Sequence, residues 1–309
     1  MVNHSKAALG AAAVLAYVGN ADAFLGTSPM ALHSTNARAS VSKAAIFMAA
    51  ETQPKKKVVV TGVGCVCSVG VGSQNFFDNL VAGKSGIQKM PAWASEMPCT
   101  VGSIVDEKSG WEGPEKWMDK KDAQRVGRYV HFAMAAAKSA LAEGKLDMTK
   151  VNKDQVGVII GSGIGAVEHF EDNSHSYTKA GKGKAGLAAI SATLIPSLTA
   201  NTASATVALE IGARGPNYSC VSACASGTHA IGDALYFLQS GKASAILAGG
   251  AECSMTPLSF AGFAAMRAMA TDFNDDPLAA SRPFDKRRAG FVMGEGAGAR
   301  KFNVTLHDI

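Results

Sequence analysis

Residues 217–249 read NYSCVSACASGTHAIGDALYFLQSGKASAILAG, and the fold class turns on this stretch. NYSCVSA reads as a strand, a helix follows from about Cys224, and Ser244 to Ala248 reads as a returning strand. Ile231, Ala234, Leu235 and Leu238 recur at i, i+3, i+4 and i+7, which puts them on one apolar helix face. Gly241 supplies the stop signal. The unit is strand, helix, strand, with a cysteine on the hinge between the first two.

The same alternation extends to both sides. Lys57 to Thr61 (KVVVT) is a β-branched run ending in glycines. A helix is expected next, with Ser73 as N-cap, Phe76, Phe77 and Leu80 on its apolar side and Gly83 as terminator. A longer helix is expected over 121–143, where Val126, Val130, Ala133 and Ala137 keep the helical period. Val156 to Ile160 reads as a short buried strand, and Pro196 opens a helix that Gly212 closes. Strands alternating with helices predict a layered α/β fold with parallel strands.

Composition agrees. The 309 residues are 47% hydrophobic and 18% charged, with 33 glycines and 10 prolines, which excludes a disordered or collagen-like chain. Net charge is +5 and spread out, so nothing points to nucleic acid, while an acidic protein partner remains compatible. Six cysteines are too few for a disulfide framework, and none has paired metal-ligand spacing, so no metal is expected.

The first 54 residues read as an address. The apolar run Ala7–Gly19 is shorter than the roughly 20 residues a membrane-spanning helix needs. With Lys6 before it and Ala21-Asp22-Ala23 after it, residues 1–23 have the form of a secretory signal peptide. Residues 24–50 carry Arg38, Lys43 and many hydroxyl side chains but no acid, which is transit-peptide composition. The tandem resembles the bipartite presequence of algae with secondary plastids, so a plastid destination is expected. An ordinary signal peptide followed by a linker (24–54) is the alternative.

Two constellations bear on chemistry. Gly161-Ser-Gly163-Ile-Gly165-Ala166 follows a strand and fits the dinucleotide fingerprint, but no acid occurs from Asn173 to Leu209, where the ribose partner belongs. Close backbone packing is the better reading there and at Gly62-Val-Gly64. At Cys224, a cysteine opening a helix meets unpaired N–H groups and the positive end of the dipole, a setting that favours the nucleophilic thiolate. Small neighbours (Ala223, Ala225, Ser226, Gly227) leave room for a carbonyl, whose oxygen those N–H groups could hold. A buried structural cysteine remains the alternative, and Cys220 reads as core. His229, about 140° around the helix from Cys224, reads as a packing or hydrogen-bonding side chain. The other histidines lie on polar segments that read as exposed. Lys121, Arg125 and Arg128 form a stripe at i, i+4 and i+7, either a solvated face or a surface for an anionic carrier.

VSACASGTH at 221–229 resembles the nucleophile motif of the β-ketoacyl-[acyl-carrier-protein] synthases. VVVTGVGCV (58–66), GSGIG (161–165), GARGPN (212–217), AGGAE (248–252), SRPFD (281–285) and GFVMGEGAG (290–298) match further family blocks in order. The resemblance is to the KAS I/II type and covers some 240 residues. It implies the N-terminal half of a thiolase-like, layered α-β-α fold, and fatty-acid elongation by decarboxylative condensation, with no cofactor and no metal. It implies that Cys224 takes the acyl chain from acyl carrier protein, with its backbone N–H in the oxyanion hole. It also implies that Ile164 lines the acyl pocket, that Lys121, Arg125 and Arg267 dock the carrier, and that the protein is a homodimer.

The departures are equally specific. The family continues past Gly298 with an apolar strand and a second α/β half holding two catalytic histidines and a second oxyanion loop, whereas here ARKFNVTLHDI follows. His307 matches neither histidine, and Ala289 stands where the family more often has Asp. The expectation is a family domain over 55–298, a non-family tail over 299–309, and an incomplete copy of a longer synthase. A noncatalytic dimerising or carrier-binding half-domain and a polyketide-type ketosynthase are the competing readings.

Overall fold

A computed structural model of the chain describes residues 56–304. The expected presequence (residues 1–54), with His4 and His33, and His307 lie outside that range. In chain order the elements are β1 (Val58–Cys67), β2 (Gly70–Val71), α1 (Ser73–Val81), β3 (Gln88–Lys89), β4 (Val101–Gly102), α2 (Lys120–Ala123), α3 (Arg128–Glu143) and β5 (Val156–Gly161). Then come α4 (Val167–Lys179), α5 (Gly183–Ala188), α6 (Leu194–Leu198), α7 (Thr202–Ile211), β6 (Asn217–Tyr218), α8 (Ser226–Gln239), β7 (Ala245–Glu252), α9 (Pro257–Ala265), α10 (Pro277–Ala280) and β8 (Gly296–Val304).

Six strands form one sheet in the order β2-β1-β8-β7-β5-β6. The expected parallel pairing holds for β5 with β6 and with β7. β8 runs antiparallel to both its neighbours, and β2 to β1, so the sheet is mixed. β8 also corrects the reading of the chain beyond Gly298. Residues 299–304 continue that strand without a break and sit between β1 and β7.

Side-chain alternation divides the core into two layers. Val158, Ile160, Leu247 and Ala299 face α3 and α7, while Ile159, Ile246, Ala248, Phe302 and Val304 face α8. That is the period of two of a sheet covered on both faces, and it makes the α-β-α sandwich. Burying each such Val, Ile, Leu or Phe contributes about 1.5–3 kcal/mol. A satellite cluster of Cys99, Val101, Phe260, Met269, Ala280 and Met293 closes the side that carries α9 and α10.

Several local expectations change. The helix read over 121–143 breaks into α2 and α3 at Gly127, which takes an extended backbone (φ −69°, ψ 159°) as the N-cap of α3 and, having no Cβ, packs against Ala166. β1 does not stop at its glycines. It runs through Gly62 and Gly64, where a Cβ would collide with the carbonyl oxygens of Ala140 and Ala136 on α3. Gly72, not Ser73, is the N-cap of α1, and no residue of α1 is buried. The helix read from Pro196 to Gly212 is two, α6 and α7, with Gly212 closing the second in a left-handed conformation (φ +72°). NYSCVSA pairs as a strand only at Asn217–Tyr218. On α8 the buried face is Ala230, Ala234 and Leu238, whereas Leu235 turns outward beside Tyr236.

Candidate active site

The hinge cysteine is at the centre of the site. Cys224 lies just before α8, which begins at Ser226, so it precedes the first helical turn instead of occupying it. Its side chain is exposed. The turn is sharp because Ala223 takes φ +52°, a left-handed conformation costly for any residue with a Cβ. Four contacts hold it there. The Ser226 N–H donates to the Ala223 carbonyl (3.1 Å), and the Ser226 hydroxyl donates to the same oxygen (2.7 Å). The Ser222 N–H donates to the Ser226 hydroxyl oxygen (2.9 Å), and the Ala225 N–H donates to the Ser222 carbonyl (3.1 Å). Ser222 Oγ also bonds His229 Nδ1 at 2.7 Å, so His229 is a hydrogen-bonding side chain that braces the turn.

The sheet supplies the floor. A Cβ on Gly161, at the end of β5, would strike the Ser226 backbone, and one on Gly227 would come within 3.2 Å of the Gly250 Cα. Three glycines therefore bring α8 down onto the carboxyl ends of β5 and β7. Beyond β5, residues 162–165 fold over towards the elbow, where a Cβ on Gly163 would stand 3.5 Å from the Ala223 oxygen. Glu252, ending β7, fixes this loop by accepting from the N–H groups of Gly163 (2.6 Å) and Ile164 (3.3 Å) and from the Ser162 hydroxyl (3.3 Å). Burial raises the Glu252 carboxyl, and those donors pull it back. Gly165 N–H is taken by Ser162 Oγ (3.0 Å). The fingerprint glycines thus give their N–H groups to the protein itself rather than presenting them as a phosphate cradle.

The other five cysteines differ from Cys224. Cys99 and Cys253 are buried, and Cys65, Cys67 and Cys220 are half-buried. Burial, then the neighbouring Cys67, pushes the Cys65 thiol up to about 11. Burial, then a bond to Asp233, does the same for Cys220. Cys253 is raised by burial and by Glu295, whose Oε2 its thiol approaches at 2.9 Å.

Ile164 is exposed beside the elbow, on the Glu252-held loop. The cationic stripe is not continuous. Lys121 and Arg125 are exposed, Lys121 in α2 and Arg125 beyond its end, with Arg125 3.3 Å from Asp122. Arg128 turns inward to a buried Glu295 at 2.8 Å. Arg267 is exposed, after α9, in a left-handed conformation (φ +55°). His131 and His169 are also less exposed than expected, bonding the Ala123 carbonyl and Ser197 Oγ respectively, each at 2.9 Å. Sequence reasoning missed Glu252, Ser222 and Asp233. The signal for Asp233 is its i+4 spacing from His229 on α8.

Among the described residues no group of three or more His, Cys, Asp or Glu could hold a metal ion, and no helix is long and apolar enough to cross a membrane.

A strand–elbow–helix that exposes one thiol over the ends of parallel strands, in an α-β-α sandwich, defines a class of thiol-bearing acyltransferase folds. The chain belongs to the β-ketoacyl synthase family, whose N-terminal domain matches residues 55–300. It is 42% identical over 245 residues to the 3-oxoacyl-[acyl-carrier-protein] synthase 2 of Synechocystis, covering 79% of this chain and 56% of that protein. The synthase 2 of Coxiella burnetii is 38% identical over 263 residues, covering 82% and 61%. The chain therefore spans little more than half the length of these relatives. Among solved structures, a β-ketoacyl synthase from Burkholderia phymatum superposes with a TM-score of 0.71 at 29% identity, covering 82% of this chain and 60% of that one. A type II polyketide ketosynthase, in complex with its acyl-carrier protein, superposes equally well (TM-score 0.71, 29% identity, 82% and 59% covered).

Proposed function

We propose that this chain is the nucleophile-bearing part of a 3-oxoacyl-[acyl-carrier-protein] synthase of fatty-acid synthesis, with Cys224 as the acyl acceptor. The observation that carries the reading is one exposed thiol on a braced elbow, while the other five are buried or half-buried. In the first half-reaction the Cys224 sulfur attacks the carbonyl carbon of an acyl thioester. The new C–S bond forms as the carrier's C–S bond breaks, and the carrier thiol leaves with the proton. The oxyanion of that intermediate belongs with the Cys224 backbone N–H. Ile164, exposed beside the elbow, suits contact with the acyl chain. In the second half-reaction malonyl-carrier loses CO2 and its carbanion displaces Cys224, giving 3-oxoacyl-carrier. The family's histidines for that step match no position in this sequence.

The carrier is taken to be an acidic acyl carrier protein meeting the exposed Lys121, Arg125 and Arg267. A type II ketosynthase solved with its carrier supports such a partner by analogy. A homodimer is carried over from the family resemblance alone, and the mass of the chain in solution tests it. The plastid destination rests on the composition of residues 1–54, and a fluorescent protein fused behind them tests it by where it accumulates. A polyketide-type reading is favoured by a structural relative at 29% identity, less than the 42% to a 3-oxoacyl-[acyl-carrier-protein] synthase 2. Timed iodoacetamide labelling at neutral pH, read by peptide mapping, tests the nucleophile. Cys224 should label well ahead of the other five, and equal labelling of several cysteines would favour the noncatalytic half-domain.

A further inference from the structure

The limb entering the elbow is tied to α8 by a run of polar contacts that no part of the condensation chemistry uses. Tyr218, Cys220 and Ser222 alternate along the limb, so their side chains emerge on one side of an extended chain. His229 and Asp233 are i and i+4 on α8, so theirs also share a face. The two rows meet. Ser222 Oγ bonds His229 Nδ1 at 2.7 Å. Asp233 Oδ2 accepts from the Tyr218 hydroxyl at 2.8 Å and from the Cys220 thiol at 3.2 Å. The Tyr218 ring packs against Phe237, one turn further on, with centroids 6.1 Å apart.

β6 has only two paired residues, so the sheet ladder alone cannot fix the path of residues 219–223. Ala223 is held in a left-handed conformation that a free chain would leave. Ser204 of α7 donates to the Tyr218 carbonyl (2.8 Å), while the limb's side chains are held from α8, where Asp233 is the carboxylate accepting from two of them.

We propose that Asp233 is a positioning residue for Cys224, a carboxylate that clamps the incoming limb to α8 and so sets the elbow on which the thiol is aligned for acyl transfer. This rests on the reading of Cys224 as the acyl acceptor. Burial and the Asp233 carboxylate both hold the Tyr218 and Cys220 protons in place, which keeps the clamp's donors protonated. Alignment and exposure are read separately, because Cys224 is already exposed with the clamp in place.

The experiment uses the full 309-residue chain. Cys224 is labelled in parallel by a short acyl thioester and by iodoacetamide, with thermal melting as a control. Asp233→Asn is expected to slow acyl transfer about tenfold, the scale of a small loss of alignment, while alkylation changes less than about twofold. Tyr218→Phe, which removes one donor and leaves the carboxylate, should slow acyl transfer by a smaller factor. Asp233→Glu should recover part of the rate. A role in stability alone would move the melting temperature without splitting the two labelling rates. If Asp233→Asn fails to fold, Tyr218→Phe carries the test. Acyl transfer unaffected in both variants, with Cys224 still reacting fast, overturns the proposal and leaves the nucleophile reading intact. An unaltered chain in which Cys224 is not preferentially acylated overturns both.

Discussion

Ala223 is the residue that gives the elbow its angle. At φ +52° a β-branched side chain is far worse accommodated than alanine, and glycine is not strained at all. Ala223→Val is expected to lower unfolding free energy by about 1–3 kcal/mol in urea titrations, whereas Ala223→Gly should not. Two half-buried thiols give a pH signature. Cys65 and Cys220 are held up to about 11 against an ordinary 9.0, so the folded chain keeps those protons after the unfolded chain has lost them. Their contribution is complete below about pH 9 and is lost as pH rises towards about 11. The urea midpoint should fall across that interval, and less steeply in Cys65→Ser/Cys220→Ser. An equal fall in the double variant would assign the alkaline loss elsewhere.

Elements were legible where pattern and packing coincide. The helix α8, its stop near Gly241 and the buried strands β5 and β7 could be read from residues, because a two-sided sheet forces apolar strands, although Leu235 fell on the wrong side of α8. The elbow cysteine was legible through its small neighbours and its motif. What escaped the sequence depends on backbone approach. Gly62 and Gly64 look like the end of a strand, yet they admit α3 onto β1, and a pattern of side chains cannot record which backbone lies opposite. Gly127 was likewise hidden inside a convincing helical period. Residues 299–304 look polar because Arg300 and Lys301 interrupt them. Lys301 nevertheless reaches the Gly144 carbonyl at 2.8 Å and caps the end of α3, where a cation is favoured. Gly64→Ala should cost about 1–3 kcal/mol or abolish folding, since its Cβ meets the Ala136 carbonyl. Unchanged stability would mean that α3 stands further from β1.

Of the ion pairs that join distant parts of the described chain, the one at Glu295 has its carboxylate buried. Glu295, before β8, takes Arg128 at the start of α3, the Val105 N–H at 2.8 Å and the Cys253 thiol. Removing the carboxylate leaves the buried Val105 N–H without its acceptor and the half-buried Arg128 without its counter-charge, so Glu295→Ala should cost about 1–3 kcal/mol in urea titrations. Several large apolar side chains also stand open, among them Leu209, Leu187, Ile195 and Phe284. The assignment of Cys224 as acyl acceptor depends on where an acyl group lands. Incubating the full chain with an acyl thioester and mapping the product by mass spectrometry should find one acyl group, on Cys224, and none in Cys224→Ala. Acyl groups spread over Cys65, Cys67 and Cys220, or retained in Cys224→Ala, would contradict it.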